Sequence, residues 1–162
     1  MLADASHGFA ATVSGMTFEH LPSGWADRPL TDPDIFADAV DLFASDASRY
    51  AGCLYLLLCD ARVQLIQSVA IDQWDFDATA AEQRRCLQTL LGHLADLGIR
   101  DLVAVLARRG RAAPIGNDHQ TASVLRDVCE GHGIRLDGLA IATPTGVLAH
   151  RAAAFPLHAE AA

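Results

Sequence analysis

The chain is 162 residues long, 51% hydrophobic and 20% charged, with a formal net charge of −8. That length suits one globular domain with a real core, and the composition excludes general disorder. All twelve basic residues are Arg, against sixteen Asp and four Glu. With no lysine, Schiff-base, P-loop and catalytic-lysine chemistry are excluded, and the acidic balance disfavours wrapping of extended duplex nucleic acid.

Residues 1–30 read as an irregular arm punctuated by Gly and Pro, with short strand-like pieces at Phe9–Val13 and Met16–His20. The body is expected to begin at Thr31, where Thr31-Asp32-Pro33-Asp34 reads as a helix start. Ile35, Phe36, Ala39, Val40 and Phe43 then recur at helical spacing, which predicts one helix ending near Arg49. Cys53–Cys59 is a continuous apolar run and reads as a buried strand. Val63–Ile71 reads as its antiparallel return.

Thr79-Ala80-Ala81-Glu82 has the pattern of a capping box. It predicts a long helix with an apolar stripe at Leu87, Leu90, Leu91, Leu94 and Leu97, stopped by Gly98. Asp101–Ala107 is a second buried strand. A loop follows, and Asn117 with Gln120 forms a second capping-box pattern, predicting a helix from about Asp118 to His132. Ile134–Thr143 and Val147 onward read as a strand pair around Pro144-Thr145-Gly146. Residues 151–162 read as an Ala-rich tail. Helices alternating with buried strands imply an α/β (α+β) domain over residues 31–150, a mixed β-sheet flanked by helices.

Cys53, Cys59, Cys86 and Cys129 show no C-x-x-C spacing and read as small buried hydrophobes. Met1–Gly8 lacks the basic and apolar regions of a signal peptide, and no apolar stretch reaches the ~20 residues of a membrane helix. A cytoplasmic protein without a membrane segment is expected. No phosphate-loop, dinucleotide, nucleophile-elbow or H-E-x-x-H motif occurs, and no cofactor is expected.

From about Leu56 to Leu148 the pattern resembles the JAB/MPN metalloprotease-like superfamily, in particular its RadC-type bacterial branch. Gly110 falls on that family's motif glycine, Pro114 on a later proline and Asp118 on the metal-ligand aspartate. The two metal-ligand histidine positions become Val105 and Ala107. The proline and serine positions become Arg108 and Arg109. The resemblance implies a three-layer fold. It also implies a degenerate site, because zinc chemistry needs three protein ligands and an open position.

Other constellations compete with this reading. Arg108, Arg109 and Arg111, with Gly110 and Asn117 before a helix start, are candidates for binding a small anion, a nucleotide or a nucleic-acid end. The alternative is a solvated loop paired with Asp101, Asp127 or Asp137. Asp118, His119 and Cys129 are candidates for an unrelated enzymatic chemistry. His119 and His132 lie about 20 Å apart along one helix, too far to share a metal ion. Asp72, Trp74, Asp75, Phe76 and Asp77 form an acidic-aromatic loop that leads into a helix or binds a partner. The leading expectation is a metal-less, non-catalytic domain that acts through a protein partner or as a homodimer.

Overall fold

A computed structural model describes residues 21–152. The strand-like pieces expected at residues 9–13 and 16–20, and residues 153–162 of the tail, lie outside them. The described residues form a short 3-10 helix (Trp25–Asp27), four α-helices and five strands: α1 (Phe36–Phe43), α2 (Asp46–Ala51), β1 (Cys53–Cys59), β2 (Leu65–Asp72), α3 (Ala80–Asp96), β3 (Asp101–Ala107), α4 (Gly116–Gly131), β4 (Arg135–Thr143) and β5 (Gly146–Arg151). The strands form one mixed sheet in the order β2-β1-β3-β4-β5. Only β3 and β4 are parallel, and α4 makes the crossover between them.

The two continuous apolar runs, β1 and β3, lie side by side and are buried along their whole length. Side chains alternate between the faces of a strand, so each run feeds two cores. Leu54, Leu56, Leu58, Leu102, Ala104 and Leu106 join Leu87, Leu91 and Leu94 of α3 and Leu125 and Val128 of α4. Tyr55, Leu57, Val103, Val105 and Ala107 join Leu30 and the α1 residues Phe36, Ala39 and Val40 on the other face. The result is helix, sheet, helix in three layers.

Several boundaries depart from the sequence reading. Leu30 is buried, and Leu21 and Trp25 pack on the same core, so the domain begins before Thr31. The Thr31-Asp32-Pro33-Asp34 segment is a turn and not a helix start: Asp32 Oδ1 accepts from Asp34 N at 2.9 Å, and the helix opens at Phe36. The expected single helix is two. Ala44 is extended, and Ser45 caps α2 by accepting from Ser48 N at 3.2 Å. Gly52, at φ 91, ends α2 in the left-handed region where a side chain is strained.

Val63 does not belong to β2. Asp60 Oδ1 accepts from both Arg62 N and Gln64 N, and this turn holds Val63 at φ 62. The Thr79–Glu82 capping box forms as expected, with Glu82 N on Thr79 Oγ1 at 3.1 Å and Thr79 N on Glu82 Oε1 at 2.9 Å. Leu97 leaves the expected stripe and is exposed. At the other end, Arg151 closes β5 and Ala152 is buried, so the domain runs past the tail boundary expected at 151. None of the helices described is long and apolar enough to cross a membrane.

Candidate functional site

The arginine loop follows β3 and opens onto α4. Its first residue, Arg108, is buried rather than solvated. A guanidinium has five N–H donors, and Arg108 uses all of them within the chain. Nε donates to Asp118 Oδ1 at 2.8 Å and Nη2 to Asp118 Oδ2 at 2.6 Å. Nη2 also reaches Ala113 O at 2.9 Å, while Nη1 donates to Arg109 O at 2.9 Å and Arg111 O at 3.0 Å. The loop is thus wrapped around one guanidinium. Its turn needs Gly110, which sits at φ 97, where a Cβ would lie 3.3 Å from Arg108 Nη1.

Asp118 is fully buried and forms the other half of the pair. Its Oδ2 also accepts from Ile115 N at 2.9 Å, so this carboxylate caps α4. The expected Asn117–Gln120 capping box does not form. The helix begins two residues earlier than expected, at Gly116, and Asn117 Nδ2 donates instead to Asp77 at 2.7 Å. Gln120 Nε2 donates to Ala78 O at 2.8 Å and to Gln83 Oε1 at 3.3 Å. Buried Gln83 also accepts from Thr121 and donates to Asp75 O. This polar seam ties α4 to α3 and to the acidic-aromatic loop. No sequence motif announces it.

The remaining arginines behave differently. Arg109 is exposed, donates from Nε to Tyr50 O at 3.0 Å, and lies 5.7 Å from the Tyr50 ring centroid, a cation–π distance. Arg111 is exposed. The anion site expected from Arg108, Arg109, Gly110, Arg111 and Asn117 therefore lacks its central guanidinium and its capping asparagine. The pairing of loop arginines with Asp101, Asp127 or Asp137 also fails. Arg135 pairs with Asp101 and Asp137, and Arg84 with Asp127.

The positions that the resemblance sets at metal ligands do not converge on one point. Val105 and Ala107 are fully buried in the apolar cluster beneath α1, whereas Asp118 opens α4 in the opposite layer. A zinc ion needs nitrogen, sulfur or carboxylate ligands converging on it, and here the one carboxylate is neutralised by Arg108. The residues present do not fit the ion. Among the described residues no three His, Cys, Asp or Glu side chains gather to hold a metal.

The candidates for an unrelated chemistry are not brought together. Ten residues along α4 separate His119 from Cys129, about 15 Å of helix rise. Burial pushes the Cys129 thiol up to about 12, and those of Cys59 and Cys53 to about 12 and about 11. Such thiols are poor nucleophiles. Cys86 departs from the expectation of burial and is exposed.

A second buried guanidinium escaped sequence reading. Arg49 of α2 donates to Ala44 O at 2.9 Å, to Thr143 O at 3.0 Å and to the Asp41 carboxylate. It fastens the α1–α2 corner to the β4–β5 turn. Compared with protein-family models and with curated proteins, the chain finds no match in either.

Proposed function

We propose that the chain is a metal-less, non-catalytic JAB/RadC-like domain that acts by contact with a protein. One observation carries this reading: the guanidinium of Arg108 is bound by Asp118, the residue aligned with a metal-ligand aspartate. A fixed organic cation stands against the carboxylate that would otherwise face a metal. Every donor of that cation is used internally, which leaves the loop a structural clasp. The free thiols suit a reducing, cytoplasmic setting.

The competing reading, a small anion or nucleic-acid end, would rest on Arg109 and Arg111 alone. Phosphate or a nucleotide raising the melting temperature of the chain would revive it. The decisive experiment for the first reading is metal analysis of the purified full chain after exposure to zinc and dialysis. Substoichiometric zinc is expected. One tightly held zinc per chain would overturn it.

A further inference from the structure

Over Gln67–Ile71 the outer edge of β2 carries none of the charges, prolines or bulges that keep sheet edges from pairing. Among the described residues no strand lies beyond it. Leu65-Ile66-Gln67-Ser68-Val69-Ala70-Ile71 carries no charge and no proline. Natural edge strands are blunted by charges, proline, bulges or a covering element. The bulge in β2 is confined to its start, opposite Leu58 and Cys59, and Gln67–Asp72 runs in regular register. The opposite edge differs. β5 is shorter, carries His150 and Arg151, and has α1 against it.

Beside the far end of β2 lies a cleft of about 230 Å³, lined by residues including Ile71, Trp74, Glu82 and Cys86. Trp74 is 8% exposed, and its Nε1 is buried without an acceptor among the described residues. Ile66, near the other end of the strand, is 59% exposed. The ends also differ in charge. Arg62 precedes the strand, while Asp72 ends it and Asp75 and Asp77 follow. At the Arg62 end the Asp60 carboxylate is occupied by backbone amides.

We infer that β2 pairs with β2 of a second copy, antiparallel and two-fold symmetric, so that one sheet runs through both protomers. This rests on the reading of the domain as a protein-contact module and names its partner. A two-fold contact must be self-complementary, and this edge is. Antiparallel pairing sets the Arg62 end of each strand beside the acidic end of the other. Centred on Ser68, which the two-fold sets opposite its own copy so that paired side chains share a face, it puts Ile66 beside the partner's Ala70, next to Ile71 and the apolar cleft. Between the ends no charge meets its like.

The test needs no ligand: light scattering after size exclusion of the full chain across concentration, with hydrogen exchange read over residues 65–72. A dimer is expected, with exchange in that segment slowing as concentration rises. Ile66→Lys should give a monomer with an unchanged melting temperature extrapolated to low concentration. A monomer at all concentrations overturns the inference, as does a dimer indifferent to Ile66→Lys. So does protection of residues 65–72 that ignores concentration, which would mean another segment of the same chain covers the edge. Those results leave the metal-less reading standing, whereas bound zinc would overturn that reading whatever the oligomeric state.

Discussion

Arg108 and Asp118 form a bidentate ion pair, 2.8 Å and 2.6 Å between heavy atoms, closed off from solvent at the junction of β3 and α4. Removing one member of such a pair leaves an uncompensated buried charge, which costs about 3–5 kcal/mol. Arg108→Ala and Asp118→Ala should each lower unfolding free energy in urea by that order. The Arg108→Met, Asp118→Leu double variant should lose less than either single variant, because no orphaned charge remains. Strict additivity of the two singles would refute a coupled clasp.

Only one of the four cysteines is exposed. Native protein at pH 8 should therefore react with a thiol reagent at Cys86 alone, and all four thiols should react in denaturant. Cys86→Ser should leave the native protein unreactive on the same time scale. Fast modification of a second thiol would mean that the buried cysteines are not held as the packing implies.

Features set by neighbouring residues were legible in the sequence. The Thr79–Glu82 box, the runs Cys53–Cys59 and Asp101–Ala107, and the hairpin turn at Pro144 each depend on a few adjacent side chains. The Ser45 cap was equally local, but the apolar spacing of Ile35 to Phe43 masked it. Arg49 and Arg108 were not legible, because burying a guanidinium depends on carbonyls supplied elsewhere. Thr143 O, ninety-four residues from Arg49, is the clearest case. Asp118 was singled out as the approximate start of its helix and as the position aligned with a metal-ligand aspartate, but its partner could not be read from spacing.

Asp101 and Asp137 bring two carboxyl groups together where β3 meets β4. Asp137 is the extra residue of the irregularity between the Leu102–Leu136 and Val103–Gly138 pairs. Burial, then the adjoining Asp101, pushes its carboxyl up to about 7. The unfolded chain titrates near the ordinary value of about 3.9. Between those limits the folded chain holds a proton that the unfolded chain has released, so this group's contribution to stability falls as pH rises from about 4 to about 7, then levels. Asp137→Asn keeps a donor toward Asp101 and removes the titration. Its stability relative to the parent should improve from pH 4 to pH 8. Parallel pH profiles would refute the assignment.

Gly138 lets α1 approach β4. A Cβ there would lie 2.8 Å from Phe36 Cζ and 3.0 Å from Thr31 Cγ2. Gly→Ala at an unstrained site gains about 0.4–1 kcal/mol through the unfolded chain, whereas overpacking a filled core costs about 1–3 kcal/mol. Phe36 is buried and has little room to swing away, so the clash should win. Gly138→Ala is expected to destabilise by about 1–2 kcal/mol in urea. Adding Phe36→Leu should recover part of that loss, since the shorter side chain vacates the contact. A Gly138→Ala variant as stable as the parent, or one made worse by Phe36→Leu by the full cost of that change alone, would mean that α1 does not rest on this glycine.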